Sequence, residues 1–81
     1  MSESVSDTTL DARGLKCPLP VLKARKLMKD LANGDVLEIH ATDPGAPGDF
    51  KHFCETTGHR LLDSKEADGV FVIRIETVRG A

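Results

Sequence analysis

A cysteine between a glycine turn and two prolines constrains this chain more than any other feature of its sequence. The stretch is residues 13–20, which read RGLKCPLP. Proline has no N–H, so it fits the first turn of a helix but destabilises a helix interior by about 3 kcal/mol. The spacing therefore predicts that a helix begins here, with Cys17 at the N-cap, Pro18 at N1 and Pro20 at N3.

This predicted position would make the Cys17 thiol reactive. The N-terminal end of a helix carries a partial positive charge that stabilises anions. The N–H groups of Cys17 and Leu19 would face the sulfur, and Lys16 and Arg13 would add positive charge. We expect a pKa for the Cys17 thiol below the value of about 8.5 for free cysteine. An arbitrary cysteine is more often a buried apolar residue, but a loop-to-helix junction normally lies at the surface.

The first helix is predicted over residues 18–32, with Asn33-Gly34 as its stop signal. Its apolar residues share one face. It also carries four cations that follow Lys16: Lys23, Arg25, Lys26 and Lys29. Such a cluster is either a solvated helix face or a docking surface for an acidic partner, and we treat these four as candidate docking residues.

The other elements follow from alternation and turn residues. We expect a short first strand, in which Leu10 and Ala12 alternate with polar residues and which Gly14 ends. A second strand is expected at 36–42, a short helix from Gly48 or Asp49 to about residue 57, and strands at 60–65 and 70–78. The last two would be joined by a hairpin turn at residues 66–69. The order βαβαββ predicts an α/β two-layer sandwich, in which a four-stranded mixed sheet carries both helices on one face.

Two loops are expected to meet beside Cys17. The first strand-helix-strand unit should make its strands parallel, which brings residues 43–48 to the same sheet edge as Cys17. Two helix N-termini at one edge would suit an anionic group. Asp43 and Asp49 also lie there, and we interpret them as a turn former and a helix cap. Cys54 shares an apolar helix face with Phe50 and Phe53, which predicts a core residue.

Composition narrows the class of protein. With 81 residues the chain has room for one domain, predicted at residues 10–79 after a flexible polar tail at 1–9. A net charge of −2 and the absence of Trp and Tyr disfavour a nucleic-acid binder. The tail has no apolar run for a signal peptide or membrane span, so we expect a cytoplasmic protein with reduced thiols. Histidine spacing and motifs predict neither a metal site nor a cofactor.

The run LDARGLKCPLPVLKARKLM, with ATDPGA and FCETTGH after it, resembles the TusA family of small sulfur carrier proteins, whose mark is a CPxP motif. The resemblance covers roughly residues 10–75 and implies the same fold. It also implies that Cys17 carries sulfur as a persulfide. Within the motif, Pro18, Pro20, Lys16, Arg13 and Gly14 would support that cysteine.

The resemblance further implies partners rather than independent catalysis. A donor protein, such as a cysteine desulfurase or a rhodanese, would load Cys17, and a cysteine of an acceptor protein would take the sulfur. Such a sulfurtransferase-type carrier, expected to be a monomer when free, would serve tRNA thiolation, cofactor sulfuration or sulfur oxidation. The alternative is a thiol-based redox or regulatory binding module that transfers no sulfur. The sequence leaves the donor, the acceptor, the pathway and any role of Cys54 open.

Overall fold

Two helices cover one face of a four-stranded sheet in the computed structural model, which describes residues 7–79. The elements are β1 (Asp7–Ala12), α1 (Leu19–Met28), β2 (Val36–Ala41), α2 (Ala46–Thr57), β3 (Arg60–Ala67) and β4 (Val70–Glu76). The strand order is β1-β2-β4-β3, with β1 parallel to β2 and the other pairs antiparallel. The predicted βαβαββ sandwich with a mixed sheet is confirmed.

The core lies between the sheet and the helices because every second residue of the central strands is apolar. Leu37, Ile39 and Ala41 of β2 are fully buried, as are Ile73 and Ile75 of β4. The helices contribute a second set to the same cluster: Ala24, Met28, Ala46, Phe50, Phe53 and Cys54. Cys54 is therefore a core residue, as predicted, and burial raises the pKa of its thiol to about 11.

The first strand begins earlier than expected. Residues 7–9, which we assigned to the flexible tail, belong to β1, where they pair with residues 36–38 of β2. These residues are polar and do not predict a strand by themselves. They are held in the sheet by backbone pairing with β2. The rest of the predicted tail, residues 1–6, lies outside the described residues.

Helix α1 is shorter than the sequence indicated. It ends at Met28 instead of residue 32, and the next three residues form i→i−3 turns, as in Leu31 N–H to Met28 O at 3.2 Å. The Arg79 side chain caps this end with three hydrogen bonds, from Nη2 to Met28 O at 2.5 Å, from Nη2 to Lys29 O at 2.8 Å and from Nε to Leu31 O at 2.6 Å. A cation satisfies these carbonyls and complements the helix dipole.

Helix α2 begins before the predicted caps. Gly45 is its N-cap and Pro47 lies in its first turn, so the assignment of Gly48 or Asp49 as the cap was wrong. Asp43 organises the turn instead, because its Oδ2 accepts the Gly45 N–H at 2.9 Å and its carbonyl accepts the Ala46 N–H at 3.0 Å. Asp49 thereby falls on the first turn of α2, where its side chain is free to make another contact.

The last two strands form a tight hairpin. Ala67 pairs with Val70, which leaves Asp68 and Gly69 as a two-residue turn with φ of 53° and 82°. Both residues have the left-handed conformation that a type I′ turn requires, for which Asp-Gly is a favoured sequence. The hairpin turn is therefore shorter than the predicted residues 66–69, and β3 extends to Ala67.

Charged side chains on the helix-free face of the sheet pair with one another. Arg74 lies 3.5 Å from Asp7 and 3.9 Å from Glu38, and His40 Nε2 lies 2.6 Å from Glu38 Oε2. Such partly exposed pairs contribute about 0 to 1 kcal/mol each.

Among residues 7–79, no helix is long and apolar enough to cross a membrane.

His59 should make stability depend on pH. Its Nδ1 accepts the Val78 N–H at 3.1 Å, and burial, with a smaller effect of Arg79, lowers its pKa. Because the unfolded chain then binds the proton more readily, stability is retained above the unfolded pKa of about 6.5 and lost as pH falls through the lower folded pKa. We expect thermal melts from pH 7.5 to 5 to show wild type losing stability relative to His59→Asn. Parallel curves would contradict this, and His52→Asn, at an exposed position, is the matched control.

Candidate functional site

Cys17 lies exposed in the turn between β1 and α1. Pro18 is the N-cap of α1, so the helix starts one residue later than predicted, and the Cys17–Pro18 peptide bond is cis. The Leu19 N–H donates to Lys16 O at 2.8 Å. That N–H was expected to face the sulfur. This part of the prediction was wrong, because the Leu19 N–H is hydrogen-bonded within the turn.

The predicted meeting of two loops beside Cys17 is confirmed. Gly14, with φ of 82°, donates its N–H to Thr42 Oγ1 at 2.8 Å, which joins the end of β1 to the end of β2. A Cβ atom built on Gly45 would lie 3.8 Å from the Cys17 Cβ. Parallel pairing of β1 and β2 thus brings the N-terminus of α2 against the cysteine loop.

Two carboxylates surround the sulfur at this junction. The Cys17 Sγ–H donates a hydrogen bond to Asp49 Oδ2. The same built Gly45 Cβ would lie 3.0 Å from Asp43 Oδ2 and 3.9 Å from Asp49 Oδ2, so both acids and Cys17 converge on one glycine. The hydrogen bond to Asp49, burial and the charges of Asp49 and Asp43 all raise the pKa of the Cys17 thiol.

The expected activation of the thiol was therefore wrong in direction. The helix dipole and two cations alone would lower this pKa, but both aspartates, expected as turn and cap residues, act on the thiol and raise it. Arg13 pairs with Asp11 instead, with Nε–Oδ1 at 2.8 Å and Nη2–Oδ2 at 3.1 Å. Hydrogen bonds from Arg13 lower the pKa of Asp11 to about 2, and the same pair raises the pKa of Arg13. Lys16 is exposed and does not offset the two acids.

The two prolines of the motif have different surroundings. Pro20 is fully buried, so it fixes the first turn of α1 to the core. Pro18 is exposed and lines a groove of about 270 Å³ between α1 and α2. Asp49 lines the same groove, which continues along α1 and α2 past Val21, Arg25, His52, Phe53 and Thr56. The groove therefore starts next to Cys17.

The four candidate docking residues are all exposed but lie on two sides of α1. Arg25 and Lys29 face the α2 side, where the Arg25 guanidinium lies 5.9 Å from the centre of the Phe53 ring. Lys23 and Lys26 line a separate depression with Leu10, Leu27 and Asp30. The exposed apolar side chains Leu19 and Leu22 belong to the same helix and lie near its cysteine end.

Asp49 is the residue that sequence reasoning missed. The predicted parallel pairing of the first two strands already placed Asp49 at the same edge as Cys17, but as a helix cap without a contact to the thiol. Two acids at that edge outweigh a helix dipole worth about 0.3 to 1 kcal/mol.

In residues 7–79, no three or more His, Cys, Asp or Glu side chains are grouped as metal ligands would be.

Comparison with known proteins identifies the family. A family model described as "Sulfurtransferase TusA" matches residues 8–77. The chain belongs to the TusA family. A putative sulfur carrier protein of Neisseria meningitidis serogroup A is 54% identical over 72 residues, which cover 89% of this chain and 97% of the relative. The sulfur carrier protein TusA of Allochromatium vinosum is 49% identical over 80% of this chain and 86% of its own length.

The TusA family assignment agrees with the fold. The crystal structure of a SirA-like protein from Desulfitobacterium hafniense superposes with a TM-score of 0.77 at 26% identity, over 94% of this chain and all of that one. The matched region of the family, residues 8–77, contains Cys17 and both carboxylates around it. The names of these TusA relatives support a sulfur carrier role, which implies partner proteins that donate and accept the sulfur.

Proposed function

We propose that this protein is a sulfur carrier in which Cys17 holds the sulfur as a persulfide. The observation that carries the proposal is the contrast between the two cysteines within a TusA fold. Cys17 is exposed on a turn fixed by the buried Pro20 and by the Gly14–Thr42 hydrogen bond, whereas Cys54 is in the core. Only Cys17 is accessible to the cysteine of another protein.

The transfer we propose is an exchange at sulfur, as in thiol–disulfide exchange. Cys17 Sγ attacks the outer sulfur of the donor persulfide and forms a new S–S bond. The S–S bond of the donor breaks, the donor cysteine leaves as a thiolate, and it takes up the proton lost from Cys17. The acceptor cysteine then attacks the outer sulfur on Cys17 in the same way. No net oxidation occurs, so neither step needs an oxidant or a cofactor.

Partners must approach an exposed sulfur that has no deep pocket of its own. The exposed apolar side chains of Leu19 and Leu22 lie near the cysteine end of α1, and four exposed cations follow on the same helix. Protein interfaces combine an apolar centre with charged groups that set the rate and specificity of encounter. We therefore propose Lys23, Arg25, Lys26 and Lys29 as contacts for donor and acceptor proteins with acidic surfaces. Relay toward tRNA thiolation, cofactor sulfuration or sulfur oxidation is compatible with this site.

Intact mass spectrometry tests the carrier step directly. We would incubate reduced wild type, Cys17→Ser and Cys54→Ala with a cysteine desulfurase and cysteine. We expect wild type and Cys54→Ala to gain one sulfur atom that a thiol reductant removes, and Cys17→Ser to gain none. Alanine is chosen at position 54 because a serine hydroxyl would be unpaired in the core.

The main alternative is a redox or regulatory binding module without sulfur transfer. Redox-sensing cysteines are typically exposed and have a low pKa, and the acids beside Cys17 raise its pKa instead. The same mass experiment separates the two functions. No gain of sulfur in wild type from the desulfurase or from polysulfide, with Cys17 still alkylated by iodoacetamide, would reject the carrier and favour the binding module.

A further inference from the structure

The contact between Cys17 and Asp49 bears on how firmly the protein holds its sulfur. The free thiol donates its hydrogen to Asp49 Oδ2, and Asp43 Oδ2 lies near the same point. A persulfide on Cys17 has no hydrogen on Sγ, so that hydrogen bond is lost on loading. The outer sulfur of a persulfide is more acidic than a thiol and carries negative charge near neutral pH. Loading therefore exchanges a favourable contact with a carboxylate for an unfavourable one.

We infer that Asp49 disfavours retention of sulfur on Cys17 and so favours its release to an acceptor. This inference rests on the proposed function and adds to it a residue that contacts the reacting sulfur atom. In the exchange, the reactants are the thiol of the carrier and the persulfide anion of the donor. The products are the persulfide anion of the carrier and the thiol of the donor. One proton moves from Cys17 to the donor, and the carboxylate stabilises only the side on which Cys17 still has its proton.

The surroundings of Asp49 leave its charge facing the sulfur. Arg13, a cation of the same motif, is paired with Asp11, and neither it nor the exposed Lys16 lowers the pKa of the Cys17 thiol. Asp43 adds a second negative charge, and its Oδ2 is occupied by the Gly45 N–H. Arg25 and His52 line the groove that Asp49 also lines, but Asp49 makes its hydrogen bond with Cys17. Glycine at position 45 keeps this space open, since a Cβ there would lie 3.0 Å from Asp43 Oδ2.

The equilibrium of exchange with a small persulfide tests this inference. Each protein is mixed with glutathione persulfide and a fixed excess of glutathione, and the loaded fraction at equilibrium is measured by intact mass. Asp49→Asn removes the charge but keeps the shape. We expect the equilibrium constant for loading of Asp49→Asn to exceed that of wild type by about threefold to tenfold. This size lies between the contribution of an exposed charge pair and that of a hydrogen bond to a charged group. The difference should shrink as salt is added.

Glu55→Gln is the matched control, because it removes the same charge from an exposed position on α2. Glu55 lies six residues beyond Asp49, about 9 Å along the helix axis, where salt screens its charge. Glu55→Gln should therefore load like wild type at moderate salt. If wild type loads but Asp49→Asn loads equally or less, the inference is overturned while the carrier function stands. If wild type gains no sulfur at Cys17, the proposed function itself fails, and the inference fails with it.

A measurement on wild type covers the case in which Asp49→Asn does not fold. The rate of alkylation of Cys17 by iodoacetamide follows the thiolate fraction. We expect its midpoint above the pKa of about 8.5 for free cysteine. In folded Asp49→Asn the midpoint should fall, and in Glu55→Gln it should not. A wild-type midpoint at or below that of free cysteine would overturn the inference, because the carboxylate would then not hold the thiol proton.

Discussion

The double variant Lys23→Glu, Lys26→Glu is expected to receive sulfur from a donor protein at least about tenfold more slowly than wild type at low salt. Both side chains are exposed and line one depression on α1, away from the sulfur. Local charge of one sign accelerates encounter with a partner of opposite sign, although the net charge of the whole chain is −2. The measurement is the initial rate of loading by a cysteine desulfurase, followed by intact mass.

The same double variant should load normally from glutathione persulfide, because that reaction needs no docking surface. Lys51→Glu with Lys65→Glu is the matched control, since it makes the same change in net charge at exposed positions outside α1. Equal slowing by both double variants would show that net charge alone matters. An unchanged rate in the α1 variant, at low salt, would remove Lys23 and Lys26 from the docking surface.

Phe50→Ala is expected to lower the free energy of unfolding by about 3 to 5 kcal/mol. Phe50 is fully buried, and its ring packs edge-on against Phe53 with centroids 6.3 Å apart. A domain of this size has a total stability of only about 4 to 12 kcal/mol, so the variant should lose a large part of it. Urea denaturation followed by circular dichroism would measure the loss.

Leu62→Ala is the control for this prediction. Leu62 belongs to β3 and is 46% exposed, so its truncation should change stability by about 0.5 kcal/mol or less. A loss below about 1 kcal/mol for Phe50→Ala would mean that α2 repacks around the cavity. In that case α2 would be less important for holding Asp49 against Cys17 than the present structure indicates.

Local rules explain the parts of the fold that the sequence predicted correctly. Alternation along β2 identified Leu37, Ile39 and Ala41 as the buried face. The glycine-ended segment 66–69 marked the hairpin, although the turn itself is only Asp68 and Gly69. The end of α1 could not be predicted in the same way. Its carbonyls are capped by Arg79, about 50 residues away in the sequence, and no local pattern reports such a contact.

The site shows the same division. That Cys17 lies exposed at the mouth of a helix followed from two prolines and a glycine. The electrostatics at the sulfur did not follow, because they depend on which residue caps α2. Once Gly45 is the N-cap, Asp49 lies on the first turn instead of ending its own loop, and its carboxylate reaches the thiol. A shift of a few residues in one helix start thus reversed the expected direction of the Cys17 pKa.

The strand order also determines when this fold can form during synthesis on the ribosome. Strand β4 lies between β2 and β3, and β3 has no other partner in the sheet among the described residues. The sheet therefore stays in two pieces until residues 70–76 have left the exit tunnel, and the end of α1 waits for Arg79. A nascent chain that stalls before that point would expose the apolar faces of β2 and α2 together. Exposed apolar surface and an unpaired strand make an incomplete chain prone to aggregate, although the finished domain is small.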